Sequence, residues 1–360
     1  MATDRFYNLL KRVRTVDLRH HPLLSHAAAA TARRGIRGII VYDYGQGDCS
    51  AIVDKKGRPL VFFDMGGGTS TGSLTHPWHT AWGTRKFARA TWRRKVPDVT
   101  REPTVLLSHW DADHYSTAWY LTNRRIDSKR VPVNGPDVVG LKWIAPRQRN
   151  KGPSTFAFAK ALKNLSCWPA KAVHPYRIGK KTRLHVERCT GSDNDANLNG
   201  IAVVLERLDK AGEPAEQMLL PGDAPYAYIP SCRRGALTKL MALLAFHHGS
   251  ATHLRQARQY IPPPATKAPR IVYTYGVKPD GGRCYGHPAA NAIRAYMKLG
   301  WSRAEHPGGA LRQWPPRAES RGDPQSRADV RLDFVTADGT VRLPQPSASG
   351  NARFPIALRR

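Results

Sequence analysis

Seven residues, Ser108-His109-Trp110-Asp111-Ala112-Asp113-His114, follow directly on the apolar run Thr104-Val105-Leu106-Leu107 and constrain the fold more than any other stretch. A short apolar run behind a proline, Pro103, that stops at polar residues reads as a buried strand. At its end stand two imidazoles and two carboxylates. Extended backbone sends alternate side chains to one face, so His109, Asp111 and Asp113 start out aligned, and His114 points elsewhere unless the chain turns. That spacing suits two neighbouring divalent ions, with His109 and Asp111 on one and Asp113 and His114 on the other. A polar loop of solvated charges would use the same residue types, but four potential ligands crowded at a strand end is a denser pattern than such a loop needs.

The charge balance narrows the partners. Lys and Arg number 57 against 27 Asp and Glu, a formal net charge of +30 over 360 residues. An excess of that size attracts polyanions, nucleic acid above all, although its spread along the whole chain also fits a general solubility feature. A hydrophobic share of 41% is enough for a sizeable core. No run approaches the ~18 apolar residues of a membrane span, so no membrane partner is expected. The five cysteines, Cys49, Cys167, Cys189, Cys232 and Cys284, form no C-x-x-C pair, which points to reduced thiols and a cytoplasmic location. Oligomeric state leaves no mark in the sequence.

Further strand-and-turn segments flank the central motif. Upstream are Asp43-Tyr44-Gly45-Gln46-Gly47-Asp48-Cys49-Ser50 and Val61-Phe62-Phe63-Asp64-Met65-Gly66-Gly67-Gly68; downstream are Leu219-Leu220-Pro221-Gly222-Asp223, Phe246-His247-His248-Gly249-Ser250 and Tyr285-Gly286-His287-Pro288. The glycine run 66–68 lacks the Lys-Ser/Thr of a nucleotide-binding loop, which excludes that reading. In this order, over roughly residues 38–300, the motifs resemble the metallo-β-lactamase-fold hydrolase domain of the competence DNA-uptake protein ComEC, in a free-standing version without the membrane channel. The central His-x-Asp-x-Asp-His is that domain's variant of the fold's His-x-His-x-Asp-His signature.

The resemblance implies an α/β architecture, a four-layer αβ/βα sandwich of two mixed sheets with the metals at strand ends. It implies His109 and Asp111 on the first ion, Asp113, His114 and His247 on the second, and Asp223 bridging. A strand-end Asp also serves as a helix cap, which is the plainer role for Asp223. His248 then faces the substrate or supports the ligands, and Ser250 joins the substrate side. The broader fold supplies a third His near residues 193–197; this sequence has none there, and Asn194 or Asn197 would donate an oxygen or bind substrate, unless the segment is an ordinary polar turn. His287, just before a helix spanning 288–299, is placed to hold a phosphate or to protonate a leaving group; a core histidine is the alternative.

Three regions follow: a basic N-terminal arm at 1–36 with an amphipathic helix near 5–16, the metallo-β-lactamase-like domain at 37–312, and a basic extension at 313–360 whose strands 330–334 and 341–343 flank the hairpin signal Asp338-Gly339. Strands are expected at 50–53 and 60–64 around the turn 55–58, at 201–205, at 240–246 and at 271–275, with helices at 115–123 and 155–165. Residues 127–153 read as a basic surface loop near the site mouth. Residues 72–96 interleave Trp78, Trp82 and Trp92 with Arg and Lys, a pattern for stacking on bases or equally for a helix with its tryptophans in the core.

Two divalent ions ~3.5–4 Å apart would activate a shared water and neutralise a phosphoryl centre. Asp111 in place of a His makes the first position harder, moving preference from Zn²⁺ towards Mn²⁺ or Mg²⁺. An anionic centre in a basic chain suits a polyanionic substrate, so the expectation is a metal-dependent phosphodiesterase, a nuclease on DNA or RNA. The alternatives are a small-molecule ester, lactone or thioester hydrolase of the same fold, and a nucleic-acid-binding module with a degenerate metal site.

Overall fold

In the computed structural model the described residues are 5–19, 23–24, 29, 32, 35–42, 47–55, 57–67, 103–122, 125–126, 129–130, 138–149, 151–267, 269–274, 286–301, 303–306, 309–310 and 330–333. The tryptophan-rich stretch 72–96, the Asp43 to Gln46 part of the first motif, the extension 313–328 and the second hairpin strand at 341–343 lie outside them.

One mixed sheet contains β1 (Ile36–Val41), β2 (Cys49–Asp54), β3 (Pro59–Met65), β4 (Thr104–Leu106), β7 (Lys142–Pro146) and β8 (Asn164–Trp168), with β17 (Val330–Asp333) on its edge, in the order β17-β1-β2-β3-β4-β7-β8. Between β4 and β7 the chain forms a small separate ladder, β5 (Arg125–Ile126) with β6 (Lys129–Arg130). The second mixed sheet runs β16-β15-β14-β13-β12-β11-β10-β9. Its strands are β9 (Val173–Gly179), β10 (Thr182–Arg188), β11 (Ile201–Leu208), β12 (Pro214–Leu220), β13 (Leu240–Leu244), β14 (Arg270–Val272), β15 (Arg303–His306) and β16 (Gly309–Ala310). The longer helices are α1 (Arg5–Arg12), α2 (Ala112–Thr122), α3 (Pro153–Ala161) and α4 (Ala290–Lys298). Strand 330–333 pairs antiparallel with β1, so the C-terminal segment closes the first sheet's edge.

Period-two alternation of apolar residues builds three packed interfaces. Along β3, Val61 and Phe63 face the second sheet while Phe62 faces outward; along β11, Ile201, Val203 and Leu205 face the first sheet while Ala202 and Val204 face outward. The middle layer joins these inward residues to Leu106, Ile144, Met218, Leu220, Leu244 and Val272. Outside the first sheet, Phe6 and Leu10 of α1, Tyr115 of α2 and Phe158 of α3 pack on Phe62, Val105 and Trp143. Outside the second sheet, Ile293 and Tyr296 of α4 pack on Val204, Leu243 and Ile271. The result is the four-layer αβ/βα sandwich expected from the sequence. The helix read into the basic N-terminal arm is thus anchored, with Phe6 and Leu10 inside the core. Among the described residues no helix is long and apolar enough to cross a membrane.

Strands β3, β4, β7 and β8 are mutually parallel, as are β12, β13 and β14. In such sheets the chain leaves each strand's carboxyl end to form the loops where ligands bind. Here those loops, after β3, β4, β12, β13 and β14, carry every motif that the sequence singled out except the first.

On the second sheet, Glu206 accepts hydrogen bonds from Arg183 Nε (2.7 Å), His185 Nε2 (2.8 Å) and Gln217 Nε2 (2.8 Å). Burial pushes its carboxyl up, but these partners outweigh burial and hold it down from 4.5 to about 2. A depressed carboxyl stabilises the fold above its unfolded pKa and loses that contribution as pH falls through the folded value. Glu206→Gln should therefore lower the urea midpoint at pH 7, and the gap to wild type should shrink progressively between pH 4.5 and about 2. Midpoints measured across that window check it.

Candidate metal centre

The site grows from the end of β4. Leu107 N–H still bonds to Ile144 O at 2.8 Å, and Ser108 N–H then turns to Asp64 Oδ1 at 2.6 Å. Trp110 is fully buried; its indole N–H donates to Pro146 O (2.8 Å) and its backbone N–H to Gln148 Oε1 (3.1 Å). Gln148 Nε2 in turn donates to Asn199 Oδ1 (2.6 Å) and Ala196 O (2.8 Å), tying the loop to residues 193–199. The strand geometry assumed for His109, Asp111 and Asp113 ends early. Helix α2 starts at Ala112, so Asp113 and His114 occupy its first turn, and side chains there step by about 100° rather than 180°.

Four imidazoles converge on Asp223. Its carboxylate oxygens lie 3.7 Å from His109 Nε2, 3.2 Å from His114 Nε2, 3.5 Å from His247 Nε2 and 3.6 Å from His248 Nε2. Asp113 Oδ2 adds a 3.2 Å approach to His248 Nε2, and its Oδ1 lies 3.9 Å from His114 Nε2. Three of these rings are held from behind at Nδ1. His114 Nδ1–H donates to Asp64 Oδ2 (2.8 Å); His109 Nδ1 meets Ser108 Oγ (3.0 Å); His248 Nδ1 meets Thr274 Oγ1 (2.9 Å), whose hydroxyl donates to Asp48. Such partners fix the tautomer and aim the other nitrogen forward.

The forward-facing atoms are where hydrogen bonding runs out. His109 Nε2, His114 Nε2, His248 Nε2 and Asp223 Oδ1 are buried and have no hydrogen-bond partner. Several orphaned donors-or-acceptors at one point cost more than a fold ordinarily tolerates. Divalent metal at this point would relieve that cost, and imidazole nitrogens with carboxylate oxygens are the donors that Zn²⁺ and Mn²⁺ accept. Four compact groups among the described residues lie within cation reach: His109, His114 and Asp223; Asp113, His114 and His248; Asp48, Asp223 and His248; and Asp48, Asp64 and His114. The residues present fit a metal.

Electrostatics follow from this crowding. Burial pushes Asp223 up, yet His247, His114 and His248 hold it well below the carboxylate range. Burial likewise opposes the charged forms of His114 and His248, but the surrounding carboxylates, Asp223 foremost, raise both well above the imidazole value. For His247 burial wins and lowers it. Burial, with His248 and His247 alongside, brings His287 down to about 4.

The residues expected from sequence do not all converge alike. His109, Asp113, His114, Asp223 and His248 belong to the compact groups. His247 reaches Asp223, but its side chain is 20% exposed and it belongs to none of those groups, while His248, assigned the supporting role, is buried. Both have left-handed backbone, φ 46° and 55°, so the chain turns sharply through the pair and both rings reach Asp223, on different oxygens. Asp111 also stays outside the groups: its side chain is 40% exposed and it pairs with Lys151 and with His109 (3.3 Å). His287 stands beside His247 and His248, with ring centroids 5.6 and 6.2 Å away. Asn194 sits in an exposed turn, bonded through its backbone to Ser192 Oγ. Asn197 Oδ1 is buried without a hydrogen-bond partner, and it is Asn199 that touches Gln148. Ser250 Oγ accepts from Thr252 N–H at 2.9 Å, a local turn.

Asp48, Asp64, Thr274 and Lys151 received no role from sequence. The signal for two of them was present, since Asp48 and Asp64 are acidic residues within motifs at the ends of apolar strands. Asp64 has φ 60°, a left-handed conformation that a buried Asp adopts only under tertiary constraint. Gly66 is required nearby, because any Cβ there would run into the carbonyl of Asp113. Asp64→Ala should weaken metal affinity by about 10–100-fold while leaving the ligands in place. Competition titration with a chromophoric chelator reads that change.

No protein-family model and no curated protein matches the chain. Among solved structures the chain is similar to Zn²⁺-bound PqqB from Methylobacterium extorquens, at 11% identity and TM-score 0.30 over 55% of this chain and 59% of that one. It is also similar to the metallo-β-lactamase fold protein YhfI from Bacillus subtilis, at 11% identity and TM-score 0.41 over 77% of this chain and 98% of that one. The match thus spans less than two-thirds of the length of PqqB.

Proposed function

We propose that the chain is a metal-dependent hydrolase of the metallo-β-lactamase class, a phosphodiesterase whose substrate is nucleic acid. The observation that carries the metal reading is the convergence of His109, His114, His247 and His248 on the buried Asp223, with forward-facing atoms that find no hydrogen bond. The polyanion reading is supported by the net charge of +30 and by the order of motifs, which resembles the ComEC hydrolase domain.

A bound divalent ion would supply Lewis acidity at a phosphoryl centre and a lowered pKa for water. The chain's own residues supply the rest. Asp64 orients His114, and the Thr274–Asp48 pair orients His248, so both rings are set before substrate arrives. Asp113 and Asp223 bring the negative charge that holds a cation in a basic protein. Lys151, paired with Asp111 beside the centre, has an ammonium that would complement an anionic phosphate oxygen.

The test uses labelled single- and double-stranded DNA and RNA with metal-stripped protein, adding Mn²⁺, Mg²⁺ or Zn²⁺ back. Cleavage that needs metal and disappears in Asp113→Ala supports the reading. Binding that weakens steeply with salt, without cleavage under any metal, would contradict it and leave a nucleic-acid-binding module.

A further inference from the structure

Asp111 presents the sharpest departure from the pattern of its neighbours. It is the middle residue of the motif, yet its Oδ1 is taken by the ammonium of Lys151 and its Oδ2 lies 3.3 Å from His109 Nε2. Lys151 is not a loosely waving surface lysine. Its side chain is only 12% exposed, and it sits one residue before Gly152, the residue that opens α3, with Pro153 in the first turn. Helix α3 is itself clamped: Phe158 is fully buried and stacks on Tyr115 at 4.5 Å, and Tyr115 Oη bonds to Thr155 Oγ1 at 2.9 Å. The ammonium is therefore delivered to Asp111 by a fixed support.

The donors that remain lie close together. All the compact groups among the described residues draw on His114, His248 or Asp223, and none includes Asp111. His109 enters only in company with His114 and Asp223, on the same carboxylate that faces His248. A second divalent ion at His109 and Asp111 would have to sit against the Lys151 ammonium, and like charges at such range repel.

We propose that the centre takes a single divalent ion, held by Asp113, His114, His248 and Asp223, and that the Lys151 ammonium paired with Asp111 is the fixed positive charge where a second ion would otherwise bind. This rests on the reading of the site as a metal centre but not on its substrate. A fixed ammonium offers a hydrogen-bond donor and one positive charge to an anionic oxygen without being lost to chelators.

The experiment counts ions rather than turnover. Stripped full-length protein is equilibrated with Mn²⁺, dialysed and assayed for bound metal, and its electron paramagnetic resonance spectrum distinguishes isolated ions from spin-coupled pairs. Wild type is compared with Lys151→Met, which keeps the stem and removes the charge, and with Asp111→Asn. The expected result is one uncoupled ion per chain in wild type and in Asp111→Asn, rising to two with a coupled spectrum in Lys151→Met. Two ions in wild type would overturn the proposal and leave the metal reading intact, as would a count that stays at one in a folded Lys151→Met. Loss of the ion in Asp111→Asn would overturn the assignment of ligands. No metal in any form would overturn the metal reading and this inference with it. Circular dichroism of each variant confirms that the counts refer to folded protein.

Discussion

Asp223→Ala is expected to lose the metal on dialysis and to show no phosphodiester hydrolysis with any added ion. Asp223 closes the gap between the two sheets' loops: it follows β12, while His109 and His114 come from the loop and helix after β4 and His247 and His248 from the turn after β13. Among the described residues no other carboxylate pairs with all four rings. The change should also weaken the stripped protein. Removing one partner from a buried charged cluster leaves the others uncompensated, an effect of about 3–5 kcal/mol. Urea unfolding of the stripped proteins at pH 7, with metal content measured in parallel, reads both effects. A variant that retained metal at the wild-type level would remove Asp223 from the ligands.

The second large effect is expected at Trp110→Ala. The side chain fills the interface between the first sheet and its helices, meeting Phe6 edge-on with ring centroids 5.2 Å apart and Phe158 at 6.5 Å. Truncation removes that volume and leaves Pro146 O without its indole donor, at a cost of about 3–5 kcal/mol. Since Trp110 sits between His109 and Asp111, its packing also holds the ligand loop, and metal affinity should fall with stability. Trp110→Phe should recover most of the packing but not the hydrogen bond. A Trp110→Ala midpoint equal to wild type would mean that the helices outside the first sheet contribute little to holding the centre.

Much of this fold was legible as periodicity. Val61, Phe62 and Phe63 alternate between two interiors, and Ile201 to Leu205 do the same, which is the mark of a sheet covered on both faces. The turn at 55–58 between β2 and β3 could be read from its Gly and charges, and the pairing follows. Local sequence carried less about the site. Where the strand gives way to α2 decides which way Asp113 and His114 point, and Asp111, a favoured residue type just before a helix, is the only local mark of the start at Ala112, one that a ligand reading of Asp111 conceals. The choice between His247 and His248 depends on two left-handed residues in a row, a conformation imposed by the packing of the turn.

Contacts across long sequence separations were further out of reach. Lys151 with Asp111 joins residues 40 apart, and Thr274 with Asp48 joins residues 226 apart. The basic stretch 127–153 was expected as a surface loop near the site mouth; it instead includes the buried strand β7, and among its described residues Pro146 and Gln148 hold Trp110 while Lys151 reaches Asp111. Likewise the buried asparagine of the 193–199 loop is Asn199, because Gln148 selects it, whereas composition alone made Asn194 and Asn197 equally attractive.

The central claim is that these buried imidazoles and carboxylates form a metal centre that cleaves phosphodiesters. Hydrolysis of bis(p-nitrophenyl) phosphate by stripped protein, with Mn²⁺, Mg²⁺ or Zn²⁺ restored and Asp113→Ala run beside it, tests this most directly. The account predicts hydrolysis that returns with metal in wild type and stays absent in the variant. A folded wild-type protein that takes up metal yet hydrolyses nothing under any of the three ions would contradict it.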